Sequence, residues 1–363
     1  MMPLVQSFAE LCVAVRYSGD RPRAHARSTS ASTSVIDQVA QIRSTALQVT
    51  SRTVPLIHRA CERVAERLLL QEAAEVYVVA EPTPNAFAPA WASGDRPIVV
   101  LHSGLVQLLS ATEIEFVIGH ELGHLGMRHG ALFANAASSE FERLQARSFQ
   151  RAAEISADRI GLLACRSIHL TASVMIKTAS GLPSEHLGID IGTFVAQMDR
   201  DPAEISREWE LDLTHPSLPL RLWALLRFAH ADRYAVLSGQ GASGAPIAVI
   251  DSEIDERMQK IGDGALTAIE EDVYLKALTW AGLSLVMADS FVQPEDETAL
   301  IQLVGADLAR KAIDFATTHG RTAVDLKYTE SVQRLASVGT AIQERFRVAE
   351  EAFRFTIDQS RKQ

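Results

Sequence analysis

Residues 110–129 read SATEIEFVIGHELGHLGMRH, and this stretch decides how the surrounding chain folds. Ser110 is followed three residues later by Glu113, which is the capping-box signature of a helix N-terminus. The sequence therefore predicts one helix that runs through the whole segment. On such a helix His120 and His124 lie four residues apart and face the same side.

The letters HELGH at residues 120–124 form an HExxH motif. Two neutral imidazoles on one helix face can bind one zinc ion, and the carboxylate of Glu121 beside them can hold a water molecule. A catalytic zinc needs three protein ligands and one open position, so the third ligand must come from elsewhere in the chain.

The residues that follow the motif exclude one class of zinc protease. A metzincin would have glycine at position 127 and histidine at position 130, where this chain has Met127 and Gly130. His129 lies about 140° round a straight helix from His124 and cannot bind the same ion from there. We interpret His129 as a group at the helix end or as a support for a ligand.

An acidic residue on a neighbouring helix is the expected third ligand. Glu154 in AAEISADRIG is the best candidate, and Asp158 lies one turn later on the same face. Asp158 could accept a hydrogen bond from a ligand imidazole and fix its tautomer. Spacing alone leaves Glu140 and Glu142 open as alternatives.

The segments around the motif predict a mainly α fold with a small β-sheet. Short β-branched runs at Glu75–Val79 and Pro97–Leu101 have the composition of strands. Apolar residues recur at helical spacing over residues 35–71, with a break at Pro55, and a second long helix is expected over residues 138–163.

Changes in composition divide the chain into four predicted parts. A polar run rich in Ser, Ala and Arg predicts a flexible lead-in, and SGQGASGAP near residue 240 predicts a domain boundary. The expected order is a flexible segment 1–34, an α+β domain 35–237, a linker 238–252 and a helical domain 253–363.

Composition also excludes several classes of protein. The net charge is −10, and −7 of it falls in residues 251–363, so a nucleic-acid partner is not expected. Three widely spaced cysteines indicate neither a disulfide framework nor a cysteine zinc site. No apolar run reaches the roughly 20 residues of a membrane span, and the N-terminus does not resemble a secretory signal. We therefore expect a cytoplasmic protein, and the excess of arginine over lysine is typical of a GC-rich bacterial genome.

Four segments in order resemble the gluzincin metallopeptidases that include the HtpX-like heat-shock proteases and the CAAX prenyl proteases. The segments are PNAFA at 84–88, SGLVQLLS leading into HELGH, EISAD at 154–158 and THPSLPLR at 214–221. The resemblance covers roughly residues 36–235 and implies metal-assisted peptide hydrolysis with one zinc per chain. It implies His120, His124 and Glu154 as zinc ligands, Glu121 as general base and Asp158 as the support of a ligand.

The same resemblance implies three further residues at the active site. His215 or Arg221 would add a donor to the developing oxyanion, or His215 would occupy the open zinc position in a latent state. Asn85 would lie at an edge strand where an extended peptide pairs with main-chain groups. Integral-membrane members carry transmembrane helices that this chain lacks, so the resemblance is to a soluble member and a prenylated membrane substrate is not expected.

Residues 277–305 read ALTWAGLSLVMADSFVQPEDETALIQLVG and are similar to the TerB-like tellurite-resistance domain. The sequence departs from that pattern at Ser290, where glycine is usual. The similarity implies a cation site formed by Asp289, Glu295 and Glu297. The other interpretation is a solvated loop before a helix N-terminus, where acidic residues favour the helix dipole.

The sequence therefore predicts a zinc-dependent endopeptidase acting on protein or peptide substrates, in protein quality control or the stress response. The helical domain would regulate it or bind a protein partner. One alternative is a latent peptidase-like scaffold that binds protein partners without cleaving them. Another is a metal-sensing or stress-response module in which the TerB-like domain is the main actor.

Overall fold

The chain folds into two compact units. The computed structural model describes residues 5–20, 33–89, 96–129, 140–197, 216–241, 243–260, 268–287, 292–336 and 340–360. The first unit comprises Met1–Asn135, Gln150–Asp201 and His215–Ile254, and the second comprises Ala136–Phe149, Pro202–Thr214 and Asp255–Gln363. The fold is mainly helical with a small mixed sheet, as the sequence predicts.

The sheet belongs to the first unit. Its strands are β1 (Leu47–Gln48), β2 (Glu75–Val79), β3 (Ala86–Phe87) and β4 (Ile98–His102), in the order β1-β2-β4-β3. The central strands β2 and β4 are parallel, whereas β1 and β3 pair antiparallel with them. The β-branched residues of β4 are buried in the core, and the short strand β3 forms an edge of the sheet.

Helix α5 is a helix of the first unit that contacts both the sheet and several other helices. The helices with residues in the first unit are α1 (Phe8–Val15), α2 (Thr33–Thr45), α3 (Pro55–Arg67), α4 (Ser103–Leu108), α5 (Ala111–Gly126), α6 (Glu140–Cys165), α7 (Ile168–Ser180), α8 (Ile191–Ala196), α9 (Leu218–Ala229), α10 (Asp232–Leu237) and α11 (Ile247–Lys260). Helix α5 contacts α1, α3, α7, β3 and β4. The predicted capping box is present, because Ser110 Oγ accepts from the Glu113 amide while Glu113 Oε2 accepts from the Ser110 amide.

Two glycines of α5 allow α6 to approach it closely. A Cβ atom at Gly119 would collide with the Ala164 side chain, and one at Gly123 would lie 3.0 Å from the Ala157 Cα. Larger residues at these positions would force the helices apart. The glycines therefore set the distance between the histidines of α5 and the acidic residues of α6.

The N-terminal segment differs from the prediction that residues 1–34 are flexible. Helix α1 is built in, with Ser7 Oγ accepting a hydrogen bond from the Glu10 amide as its N-cap. Its buried side chains recur at positions i, i+3, i+4 and i+7, which is the apolar stripe of a packed helix: Phe8, Leu11, Cys12 and Val15.

The division between the units also lies further along the chain than the predicted linker 238–252. Helix α11 begins inside that range, and both Ile250 and Ile254 are fully buried. Asp251 of the same helix forms a 2.6 Å ion pair with the buried Arg159 of α6. The first unit therefore continues to Ile254, because α11 contributes apolar and charged contacts to its core.

The secondary-structure elements that the structure describes in the second unit are all helices. Its helices include α12 (Ala268–Val286), α13 (Pro294–Val304), α14 (Ala306–Leu335) and α15 (Thr340–Ser360). Helix α14 bends at Gly320, whose φ of 77° is in the left-handed region. The core of this unit includes Tyr274, Leu278, Leu300, Leu303, Phe346 and Phe353. Within the described ranges of both units, no helix has the length and apolar composition that crossing a membrane requires.

Candidate functional site

Three predicted ligands converge between α5 and α6. Among the residues that the structure describes, His120, His124 and Glu154 form the one group of three metal-binding side chains whose donor atoms all lie within 4.8 Å of each other. The Nε2 atoms of the two histidines are 3.0 Å apart. The Glu154 carboxylate oxygens lie 3.5 Å from His120 Nε2 and 3.3 Å from His124 Nε2.

These distances match the requirements of zinc. Ligands about 2.0–2.1 Å from a tetrahedral zinc ion are separated from each other by about 3.3 Å. Two imidazoles and one carboxylate are also the donor set of many catalytic zinc sites. The residues present therefore fit a zinc ion. The side chains of Glu140 and Glu142, the alternative ligands, lie outside the described part of the chain.

The charge of Glu154 is stabilised by its neighbours. Burial would raise the pKa of the Glu154 carboxyl, but Arg221 and the imidazole of His124 hold it well below its usual range. Burial lowers the pKa of His124, but the negative charges of Glu154 and Glu121 raise it above its usual value. The site therefore combines an ionised carboxylate with the two imidazoles that face it.

Asp158 forms a hydrogen bond with His120, and its role as the support of a zinc ligand stays a prediction. Asp158 Oδ1 lies 2.9 Å from His120 Nδ1, on the side of the imidazole opposite to the converging donor atoms. The Asp158 side chain is only 1% exposed. Burial would raise the pKa of Asp158, but Arg221 and His120 keep it below its usual value. An ionised Asp158 can accept the Nδ1 proton and leave Nε2 of His120 for a metal.

Arg221, at the start of α9, comes to this site, but its contacts differ from the expected donation to an oxyanion. Its Nε and Nη2 atoms donate to Asp158 at 2.8 and 2.6 Å. Its Nη1 atom lies 3.0 Å from Glu154 Oε2. The guanidinium therefore bridges the two buried carboxylates, and this arrangement is typical of a residue that holds ligands in place.

His124 has its own support, which includes a residue that the sequence did not indicate. Its Nδ1 atom lies 2.8 Å from Nδ1 of His129, and His129 Nε2 lies 3.1 Å from Oδ2 of the buried Asp20. Burial lowers the pKa of His129 below its usual value, although Asp20 opposes this effect. His129 therefore contacts a predicted zinc ligand, and the two roles that we expected for it stay predictions.

The sequence did not indicate Asp20, because this residue lies within the segment 1–34 that we expected to be flexible. The signal that could have found it is SFAELCVAVRY at residues 7–17. Ser7 and Glu10 form a capping-box pattern there, and apolar residues follow at helical spacing. A packed helix directly before Asp20 would have placed this acid against the first unit.

Glu121 adjoins the candidate metal site, and Asn85 precedes a strand that contacts the same helix. Glu121 is half-buried and follows His120 directly on α5; in the described part of the chain its carboxylate has no hydrogen-bond or ion-pair partner. Asn85 is exposed, its carbonyl accepts from the His102 amide at 3.0 Å, and it precedes the edge strand β3. Strand β3 in turn contacts α5. His215 lies outside the described residues.

The acidic residues of the second unit are only partly described. Asp289 lies outside the described residues, Glu295 is exposed and Glu297 is half-buried in the first turn of α13. Between them the buried Asp296 accepts a hydrogen bond from the Gln293 amide at 3.1 Å and caps the helix. This arrangement agrees with the interpretation of the acids as a helix N-terminus, and the cation site stays a prediction.

Comparisons with known proteins support the peptidase interpretation. Residues 51–140 match the family model of Peptidase family M48. The chain is 34% identical over 148 residues to the plastoglobule-localized metallopeptidase 48 of Arabidopsis thaliana, which covers 37% of this chain and 43% of that protein. It is 39% identical over 75 residues to a protease HtpX homolog of Methanocaldococcus jannaschii, which covers 21% of this chain and 26% of that protein.

A third relative is the protease HtpX of Nitrosococcus oceani, 41% identical over 51 residues, or 14% of this chain and 17% of that protein. No solved structure matches the chain. The chain thus spans less than half the length of these relatives. The matches support an HtpX-like metallopeptidase for the matched part of the chain. The family match ends at residue 140, so the TerB-like interpretation of the C-terminal residues stays a prediction.

Proposed function

We propose that the chain is a zinc-dependent endopeptidase that hydrolyses peptide bonds in protein substrates. One observation carries the proposal: two imidazoles of α5 and a carboxylate of α6 converge at the spacing of zinc ligands, next to Glu121. The match to Peptidase family M48 over residues that include the HELGH motif gives independent support.

The chemistry follows from the side chains around the site. His120, His124 and Glu154 would hold the ion. Zinc, when bound, lowers the pKa of a water molecule and polarises the scissile carbonyl. Glu121 would accept a proton from the attacking water molecule and then donate it to the leaving amine. Arg221 and Asp158 keep the ligands in position through their hydrogen bonds.

The edge strand β3 suggests how a protein substrate would bind. Within the described ranges no strand pairs with its outer edge, so its main-chain groups are available to an extended peptide. Pairing of this kind recognises the backbone and tolerates many side chains. Asn85 precedes this strand, and we propose that its side chain binds the same peptide.

Zinc content and cleavage measured on the same samples test the proposal. We expect the wild-type chain to carry one zinc per chain by elemental analysis and to cleave casein in a chelator-sensitive way. Glu154→Gln should lose zinc and cleavage, whereas Glu121→Gln should keep zinc and lose at least 100-fold in rate, which is the usual contribution of a general base. Glu62→Gln, on the exposed face of α3, is the matched control and should change neither.

Two results would contradict the proposal in different ways. Zinc binding without cleavage of casein or of any unfolded substrate would favour the latent or non-cleaving scaffold, which binds protein partners. A wild-type chain that carries no zinc would reject the metallopeptidase altogether. We propose a role in protein quality control or the stress response and a cytoplasmic location, and both depend on the resemblance and on the sequence.

For the second unit we propose that it regulates the enzyme or binds a protein partner. An open cleft of about 930 Å³ supports this role, because Trp280 and Phe315 line it with ring centroids 5.1 Å apart. Its Lys276 and Lys327 each pair with an acid on the same helix, whereas Lys311 has no acidic partner among the described residues. An apolar side chain flanked by an acidic one would suit this cleft.

Calorimetry with short peptides tests the cleft. A peptide that carries glutamate beside leucine should bind the full chain, and Lys311→Glu should abolish the signal. The charge-preserving Lys311→Arg should keep it. Equal binding to both variants would contradict the role of this cleft in partner binding.

A further inference from the structure

Behind the candidate metal site, a buried acid reaches His124 through a second histidine. His124 Nδ1 lies 2.8 Å from His129 Nδ1, and His129 Nε2 lies 3.1 Å from Asp20 Oδ2. The side chains of His129 and Asp20 are each only 1% exposed. We propose that Asp20, acting through His129, is a positioning residue that fixes His124 for metal binding, and this inference rests on the proposed zinc site.

The hydrogen bonds have one consistent arrangement when His124 binds a metal. His124 would bind through Nε2, so its proton is on Nδ1 and is donated to Nδ1 of His129. His129 must then carry its own proton on Nε2, and it donates that proton to the Asp20 carboxylate. The tautomer of His124 is thus set by His129, and the tautomer of His129 is set by Asp20. Asp20 ends this series, because an ionised carboxylate can only accept hydrogen bonds.

The two histidine ligands are therefore supported in comparable ways. His120 donates its Nδ1 proton directly to Asp158, whereas His124 reaches Asp20 in two steps. A buried carboxylate behind a ligand imidazole raises its basicity and fixes its ring orientation. The symmetry of the two supports points to metal binding, since a purely structural turn does not require a carboxylate behind each histidine.

The turn of the backbone after α5 allows His129 to contact His124. On a continuing helix His129 would lie about 140° away from His124. Arg128 instead has a φ of 60°, in the left-handed region that non-glycine residues rarely adopt, and the chain turns back towards α5. Arg16 stabilises the turn because its Nη2 donates to the Met127 carbonyl at 3.1 Å.

The N-terminal segment is held where it must be for Asp20 to reach His129. The Tyr17 amide donates to Ser156 Oγ at 3.0 Å, and the Asp20 amide donates to the Tyr17 carbonyl at 2.9 Å. Arg159 donates to the Val15 carbonyl at 3.1 Å. Ser156 and Arg159 lie on α6, the helix that also carries Glu154. The segment from α1 to Asp20 thus completes the site.

Zinc affinity, measured by chelator competition on the full chain, tests this inference. We expect Asp20→Ala and His129→Phe to bind zinc 10- to 100-fold more weakly, the usual effect of removing such a support. His129→Gln should stay near the wild-type affinity, because its amide can accept from His124 and donate to Asp20. The visible absorption of the Co²⁺-loaded chain should change in Asp20→Ala and stay unchanged in His129→Gln.

Val15→Ala is the control for damage to the segment that carries Asp20, since Val15 is fully buried in α1. It should lower the melting temperature without changing zinc affinity. Wild-type affinity in Asp20→Ala and His129→Phe, or an equal loss in Val15→Ala, would overturn the inference. If the two variants bind zinc more weakly but the wild-type chain never cleaves casein, the inference is supported and the peptidase is rejected. A wild-type chain without zinc affinity would overturn both the inference and the proposed function.

Discussion

At the scale of single residues, one cation serves two acids beside the candidate metal site. The guanidinium of Arg221 binds Asp158 through two nitrogens and Glu154 through the third. The three side chains are only 1–11% exposed. Little water can therefore reach the two carboxylates in place of the guanidinium. Without Arg221, two carboxylates would be left in a place where an unpaired charge is costly.

We expect Arg221→Met to lower the free energy of unfolding of the metal-free chain by about 3–5 kcal/mol, the usual effect of breaking a buried ion pair. Added zinc should recover part of this loss, because it supplies positive charge to Glu154. Arg227→Met on the same helix is the matched control: its pair with Glu253 is more than one-third exposed and contributes about 0–1 kcal/mol. Urea unfolding with chelator and with zinc measures both, and equal losses in the two variants would contradict the expectation.

The residues of the site differ in how far the sequence could predict them. His120, Glu121 and His124 follow from spacing within one helix, and Glu154 follows from the resemblance. Asp20 is 109 positions away from His129, and their hydrogen bond depends on tertiary packing alone. The contacts of Arg221 with two acids also depend on packing, since its position in THPSLPLR says only that it comes near the site.

At the scale of elements, the N-terminus of α5 is anchored by a buried acid with several partners. Glu113 accepts from the Ser110 amide, from the Ser173 hydroxyl and from Lys177 Nζ at 2.9 Å. Burial would raise the pKa of Glu113, but the hydrogen bonds from Lys177, Ser173 and Ser110 keep it below its ordinary value of 4.5. Helix α5 is therefore tied to α7 through a carboxylate that favours its ionised form.

The lowered pKa of Glu113 has a defined effect on stability. Its contribution is complete above the unfolded pKa near 4.5 and is lost as the pH falls through the lower folded pKa. We expect Glu113→Gln to be less stable than the wild type at pH 7 and the difference to shrink below about pH 4.5. Urea unfolding of both chains between pH 7 and pH 3 measures this. A difference that does not depend on pH would show that the charge of Glu113 contributes nothing.

The contact between α5 and α6 depends on the glycines of α5. We expect Gly123→Ala to cost about 1–3 kcal/mol, because its Cβ would press on Ala157 and Ile160. The same change should weaken zinc binding, since it moves His124 away from Glu154. Gly192→Ala in α8 is the control: the added Cβ meets only Asp190 Oδ1 at 3.4 Å, so helix propensity should make it neutral or stabilising by up to about 1 kcal/mol. Thermal unfolding and zinc titration compare the two, and equal effects would contradict this account of the contact.

Elements with a strong local signal were predictable, and elements held by tertiary contacts were not. The predicted strand Glu75–Val79 is β2 itself, and the long helix expected over residues 138–163 is α6, shifted by two residues. Strand β1 has only two residues and forms by pairing with β2, so periodicity could not reveal it. Helix α1 has eight residues, too few to form alone in water, and it exists because α5 covers its apolar stripe.

At the scale of the whole molecule, each compact unit has its own core, and the candidate metal site lies in the first unit. The first unit contains the sheet, the converging histidines and Glu154. The described part of the second unit is built on helices whose apolar residues form one cluster. The boundary could be predicted only approximately from glycine and proline content, because the helix that follows SGQGASGAP belongs to the first core.

Two cores, with the candidate metal site in the first unit, predict how the molecule unfolds. We expect calorimetry to resolve two transitions, of which zinc raises only the one that belongs to the first unit, because a ligand stabilises only what binds it. Leu278→Ala should lower the midpoint temperature of the other transition, and Leu105→Ala that of the zinc-sensitive one. Each substitution should reduce the free energy of unfolding of its unit by about 2–5 kcal/mol, because both leucines are almost fully buried. If zinc and both substitutions instead shift a single transition, the two units unfold as one, and occupancy of the metal site is then sensed throughout the chain.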